Sequence, residues 1–153
     1  MITIRTATRN DAPIIAHYNA AMALETEHLR LDMERLLKGV GGIFDEPSRG
    51  FYLVAEHEGT VIGQLMITYE WSDWRNGVFW WIQSVFVKEE FRAQKVFRSL
   101  YDHITAMAQE QGNVCGVRLY VEKENTRAHA VYEKLGMNVT QYDLLEKDFI
   151  LKR

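Results

Sequence analysis

Ile2 and Ile4 alternate with Thr3 and Arg5, the period of two expected of a half-buried strand. Asn10-Asp11-Ala12-Pro13 then supplies a helix cap and a proline suited to a first helical turn, and Ile14, Ile15, Tyr18, Met22 and Leu24 continue at helical spacing. A second apolar stripe over residues 29–37 predicts another helix, ended by Gly39, Gly41 and Gly42. Residues 45–50 read as a loop, and residues 51–56 and 61–69, separated by Glu58-Gly59, read as a hairpin. Trp71-Ser72-Asp73-Trp74-Arg75-Asn76-Gly77 carries an Asn-Gly turn signal. Residues 78–87 are apolar on both faces, the mark of a central strand. Val96, Phe97, Leu100, Tyr101, Ile104, Met107 and Ala108 predict a helix that stops near Gly112, with a strand over residues 114–121. Asn125-Thr126 caps a short helix carrying Ala128, Ala130, Val131 and Leu135, which Gly136 closes, and residues 137–145 return as a strand. The order β-α-α-β-β-β-α-β-α-β predicts an α/β (α+β) fold, a mixed sheet with helices on both faces.

Composition narrows the class without altering that picture. The chain has 153 residues, 47% hydrophobic and 25% charged, and no repeat, linker or low-complexity segment, so residues 1–153 read as one domain. A chain this long buries roughly two-thirds of its unfolded surface and needs no disulfide or structural metal. Cys115 is the only cysteine, which excludes an internal disulfide and a cysteine zinc cluster and fits a reducing compartment; the cytoplasm is expected. Eighteen basic against 21 acidic residues give a net charge of −3, so no global positive field draws the protein to nucleic acid. No stretch approaches the roughly 18 apolar residues of a membrane span, and the first residues carry no apolar signal core, so a non-membrane, unprocessed protein is expected.

Two segments carry candidate chemistry. The first is a strand ending Val85-Phe86-Val87, followed by Lys88-Glu89-Glu90-Phe91-Arg92-Ala93-Gln94-Lys95-Val96-Phe97-Arg98 and a helix. The second is Asn125-Thr126-Arg127-Ala128 with Tyr132-Glu133-Lys134-Leu135-Gly136-Met137 behind it. The first resembles the acetyl-CoA signature of the GCN5-related N-acetyltransferases (GNAT). The second is similar to that family's Asn-x-x-Ala-x-x-x-Tyr-x-x-x-Gly-Phe segment, with Met137 in place of Phe. The element order matches over essentially the whole chain, so the resemblance implies a three-layer fold around a central, mostly antiparallel mixed sheet. A strand-to-helix turn suits this co-substrate because unpaired backbone N–H groups and a helix dipole face its pyrophosphate. The family's loop usually reads Arg/Gln-x-x-Gly-x-Gly/Ala; here Lys95 holds the first glycine position and Phe97 the second. A lysine ammonium can pair with phosphate, while its Cβ obstructs a turn with positive φ.

The resemblance assigns further roles residue by residue. Val85, Phe86 and Val87 would offer backbone groups to the pantetheine arm, and an N–H near Val85 would polarise the thioester carbonyl. Arg92, Ala93, Gln94, Lys95, Val96, Phe97 and Arg98 would surround the pyrophosphate. Asn125, with Ala128 beside it, would hold the pantetheine or its loop, although capping alone explains an asparagine there. Tyr132 would protonate the departing thiolate; spacing alone favours a core tyrosine, and the flanking Asn125 and Gly136 reverse that preference. The acceptor amine must lose a proton before attack. The central strand offers Gln83, which cannot serve as a base, so Glu25 and Glu70 are the first candidates, ahead of Glu27 and Asp73.

Competing chemistries leave weaker traces. Glu25 and His28 lie one helical turn apart with no second ligand pair, so no metal is expected. His17, His57, His103 and His129 have neither ligand nor triad spacing, and Cys115 sits in an apolar strand. Trp80 and Trp81 read as core, whereas Trp71 and Trp74 at the turn suit an acceptor wall. The expectation is an N-acetyltransferase using acetyl-CoA as co-substrate and acetylating a primary amine of a small molecule or a protein by direct attack. Neither nucleic acid nor membrane is an expected partner, and a homodimer is allowed. The alternatives are a catalytically silent ligand-binding or interaction module of the same fold, or an assembly subunit using the aromatic cluster.

Overall fold

The computed structural model describes residues 1–151 and divides into two compact units, Met1–Leu119 and Tyr120–Arg153. The first holds a five-stranded sheet in the order β1 (Ile2–Thr6), β2 (Gly50–His57), β3 (Thr60–Ser72), β4 (Gly77–Val87), β5 (Val114–Arg118). All neighbours are antiparallel except β4 and β5. Glu58 and Gly59 turn β2 into β3, both with positive φ, as a two-residue hairpin demands.

Alternation along the strands assigns the helices to opposite faces. Tyr52 and Val54 join α1 (Ala12–Glu27) and α2 (Met33–Asp45) in one apolar cluster with Ile15, Tyr18, Val40 and Phe86. Gly63 on the other face, beside Ala55, lies against Val96, the first residue of α3 (Val96–Gln111). Leu53, Leu65, Leu100 and Ile104 are fully buried. The Tyr18 hydroxyl donates to the Val61 carbonyl at 2.6 Å and its ring stacks on Phe86 at 4.8 Å, fixing α1 against β3 and β4.

Asp11 anchors the entry to α1. Its carboxylate accepts two bonds from Arg5 (2.8 and 2.9 Å) and one from the Thr8 N–H (2.7 Å). The Arg5 hydrogen bonds, opposed by burial, hold the Asp11 carboxyl below its ordinary range. A carboxylate with a depressed folded pKa contributes stability that is complete above the unfolded value and lost as pH falls through the folded one. Asp11→Asn is therefore expected to lower stability by about 1–3 kcal/mol at pH 7. It should also flatten the loss below about pH 4, as acid-dependent thermal melts would show; an unchanged acid limb would remove Asp11 from the cause.

Three elements differ from the sequence expectation. α2 does not break at its glycines but continues to Asp45, because Val40 is buried and Leu36, Ile43 and Phe44 pack on the cluster beside it. That apolar stripe outweighs roughly 1 kcal/mol of helix propensity lost per glycine. β5 stops at Arg118, short of Val121. Residues 137–145 form no strand: with no ladder partner among the described residues, an alternating pattern does not define one.

The second unit contains α4 (Thr126–Lys134). Asn125 accepts from the Ala128 N–H at 3.1 Å as its N-cap. At the other end Gly136, at φ 87°, donates to Glu133 (3.0 Å) and Met137 donates to Tyr132 (3.1 Å). This paired closure is a Schellman motif, and it requires a residue at ease in the left-handed region.

Candidate active site

β4 and β5 pair only from Val78–Val114 to Trp81–Arg118. Beyond that point β4 runs on for six residues, Ile82 to Val87, without β5 beside it. Within this free stretch the register against β3 jumps: Gln64 faces Phe86 but Met66 faces Gln83, so Ser84 and Val85 lie opposite the single residue Leu65. Such a bulge re-aims the backbone. Ser84 takes φ 53°, a left-handed conformation uncommon for a side-chain-bearing residue.

The loop after β4 is equally constrained. Residues 89–91 make a short turn of 3-10 helix, and then Ala93 (φ 76°) and Lys95 (φ 59°) both enter the left-handed region. Lys95 is the N-cap of α3 but its side chain makes no capping bond. The first N–H groups of α3 therefore face outward from the loop with no side-chain acceptor from the cap, beside the positive end of a 16-residue helix.

The cations here differ in their partners. Arg92 donates from Nε to the Val87 carbonyl (2.7 Å) and from Nη2 to both oxygens of Glu25 (3.1 and 3.3 Å), with its guanidinium 5.3 Å from the Phe86 ring centroid. Arg98 pairs with Asp102 and Lys88 with Glu90. Lys95 has no ion pair among the described residues, which leaves its exposed ammonium available to an anion. A pyrophosphate fits this donor set: outward N–H groups, one uncommitted cation and a helix dipole.

The expected loop residues, Val85 through Arg98, follow one another along the end of β4 and the loop to α3, with Phe86 and Val96 buried, and Glu25 joins them through Arg92. Glu70 lies elsewhere on the sheet, accepting from Trp81 Nε1 (2.7 Å) and Arg118 (3.0 Å), while Arg118 stacks on Phe79 at 3.6 Å. Both candidate bases therefore already hold cationic partners. Gln83 donates to Thr68 Oγ1 at 3.0 Å, one residue before the bulge. Trp80 is buried, whereas Trp71 and Trp74 at the hairpin end are exposed. Cys115 is half-buried on β5, level with Val78 and Phe79 and at the other end of β4 from the bulge. Asn125, Ala128 and Tyr132 belong to the second unit. Burial raises the pKa of the Tyr132 hydroxyl, keeping it protonated at neutral pH.

Sequence reasoning missed Ser84, Gln64, Asn19 and Arg118. Gln64 and Asn19 did leave a signal, since each is a polar residue at a core-facing position of an otherwise apolar run.

Comparison with known proteins agrees with the architecture. Residues 15–137 match the model of the Acetyltransferase (GNAT) family. The crystal structure of a "possible acetyltransferase" from Clostridium difficile 630 is 44% identical, covering 98% of this chain and 99% of that one, with a TM-score of 0.90. A "predicted acetyltransferase" from Clostridium acetobutylicum, solved with acetyl-CoA, is similar at 17% identity, 98% and 97% coverage and a TM-score of 0.79. Ribosomal-protein-alanine N-acetyltransferase from Brucella melitensis biovar Abortus 2308 is similar at 13% identity, 97% and 99% coverage and a TM-score of 0.78. The last two likenesses concern the fold alone. A search of curated proteins returns no match.

Proposed function

The chain belongs to the acetyltransferase (GNAT) family, and from that premise we propose that it moves the acetyl group of acetyl-CoA to a primary amine by direct attack in a ternary complex, with residues 1–153 acting as one domain. The observation that carries this reading is the departure of β4 from β5 after Trp81, which leaves the bulged segment around Val85, just before the loop that leads to α3, without β5 as a neighbour. Acetyl-CoA supplies the acetyl group as an activated thioester. Residues 92–98 would hold its pyrophosphate through backbone N–H groups and Lys95, and Asn125 with Ala128 would steady the pantetheine arm.

The chemistry asks little beyond placement. The Val85 N–H donates to the thioester carbonyl oxygen, where negative charge develops. The amine nitrogen bonds to the carbonyl carbon, the C–S bond breaks, the Tyr132 hydroxyl gives its proton to the sulfur, and the second proton that the nitrogen sheds as the amide forms returns through solvent to the tyrosinate. An alkylammonium with a pKa near 10.4 must first lose a proton, which Glu25 or Glu70 would take directly or through water, while Gln83 orients the amine. A covalent enzyme intermediate is disfavoured because Cys115 lies at the far end of β4 from the bulge. The acceptor is a small-molecule or protein amine, and a reducing compartment such as the cytoplasm suits the lone thiol.

Calorimetric titration with acetyl-CoA, followed by thiol-release assays over a panel of amines, tests the reading. Micromolar binding is expected. Lys95→Ala should weaken it about 3- to 10-fold, the loss of one solvent-exposed charge on phosphate. Lys95→Gly should weaken it similarly, because it removes the same charge while glycine adopts the same left-handed conformation in the folded loop. Tighter binding by Lys95→Gly would instead show that the side chain obstructs the loop. No binding by folded wild-type protein would overturn the transferase reading.

A further inference from the structure

Gln64 is fully buried on β3, between α1 and the bulge of β4. Its Nε2 donates to Asn19 Oδ1 at 2.8 Å and to the Ser84 carbonyl at 3.2 Å. Asn19 is itself buried on α1. The Ser84 carbonyl can only accept, so it fixes which end of the Gln64 amide faces the bulge. The other end, Oε1, is buried with no hydrogen-bond partner among the described residues. An amide that leaves one atom unsatisfied inside an apolar layer is costly, and methionine would fill the same volume without that cost.

What the amide does achieve is control of one peptide plane. The chain has no cis peptide among the described residues, so the Ser84 C=O and the Val85 N–H point in opposite directions across a single planar unit. Holding the carbonyl toward Gln64 therefore directs the Val85 N–H away from Gln64. The plane needs such a hold: Ser84 sits at φ 53°, and at the register jump neither Ser84 nor Val85 has a ladder partner on β3. We propose that Gln64, oriented by Asn19, is a positioning residue that aims the Val85 N–H at the carbonyl oxygen of the bound thioester. The inference rests on the role given to Val85 above and deepens it by naming what sets the donor's direction.

Gln64→Met is the test, because it keeps length and volume, removes the donor and also removes the unsatisfied oxygen. The variant should fold with a modestly lower Tm, because the Asn19 Oδ1 and the Ser84 carbonyl lose their donor, and should bind CoA within about twofold of wild type, since the phosphate contacts lie on the separate loop after β4. Its kcat should fall about 10- to 100-fold, less than the 10²- to 10³-fold loss when an oxyanion donor is removed outright, because the N–H is misdirected rather than absent. In the unliganded protein, the Val85 amide cross-peak in a ¹H–¹⁵N spectrum should move well beyond its linewidth. Gln64→Glu adds a pH signature: a protonated carboxyl can donate to the Ser84 carbonyl and an ionised one cannot, so its kcat relative to wild type should recover toward acid pH. A Gln64→Met protein with wild-type kcat and an unmoved Val85 cross-peak would overturn the assignment and leave Gln64 a packing residue. If instead wild type neither binds acetyl-CoA nor releases thiol while the cross-peak still moves, the transferase reading fails and the control of the peptide plane stands.

Discussion

Tyr132→Phe is expected to lower kcat about 100-fold, the low end of what a positioned general acid contributes. The low end applies because a thiol with a pKa of roughly 8.5 is already a fair leaving group. KM for acetyl-CoA and the Tm should change little, since the ring is kept and only the hydroxyl is lost. The pH dependence separates this role from packing. Burial raises the tyrosine above its ordinary value of 10.0, so the acid stays protonated across the range in which the amine is becoming deprotonated. Wild-type kcat/KM should therefore rise with pH toward about 10 with no descending limb from Tyr132. Thiol-release rates from pH 7 to 10 check this. Equal turnover by wild type and Tyr132→Phe would assign the tyrosine to the packing of the second unit.

Gly50→Ala should produce the largest stability loss of any glycine-to-alanine change in the chain. Gly50 opens β2 at φ 150°, opposite Thr68, and a Cβ there would stand 1.9 Å from the Ile67 carbonyl oxygen and 3.0 Å from its carbon. Both atoms are backbone of the neighbouring strand, so relief requires the β2–β3 ladder to part. Backbone strain of about 1–3 kcal/mol and overpacking of about 1–3 kcal/mol together predict a loss near 4 kcal/mol. For a chain of this size that is a fall in Tm of about 8–16 °C. Calorimetry would check it, and a Tm within about 3 °C of wild type would mean that the start of β2 relaxes away from β3 at little cost.

Much of this protein was legible before any fold was known. The cap at Asn125 and the closure at Gly136 enclose a single short helix, and the bonds that make them, from Ala128 to Asn125 and from Met137 to Tyr132, span only three and five positions. The Glu58-Gly59 turn, the proline entry to α1 and the double-faced apolar run of β4 are likewise local. The Asn125-to-Met137 segment, the Val85-to-Arg98 segment and the element order carried the resemblance to the family, and the fold came with it. Lys95 was visible as a departure from glycine, and the structure supplies the conformation, φ 59°, that makes the departure matter.

Other features had no local trace. The glycines of α2 read as a stop because helix propensity is local, but the burial of Val40 against β2 is not. The alternation of residues 137–145 read as a strand because the pattern is local, while a ladder partner is not. Glu25 and Glu70 were recognisable as acids, yet Arg92 meets Glu25 across 67 positions and Arg118 meets Glu70 across 48. At the bulge the Ser84 carbonyl accepts from Gln64, 20 positions away, and Gln64 donates to Asn19, 45 positions further back. The amino-acid sequence by itself determined most of the elements, the caps of the last helix and the class of chemistry, since each follows from residues within a turn or two of one another. Only the tertiary structure decided which carboxylates are paired, where α2 ends and which way the backbone of β4 faces. Those outcomes depend on contacts between chain-distant groups, whose energies outweigh local propensity but leave no periodic mark on the sequence.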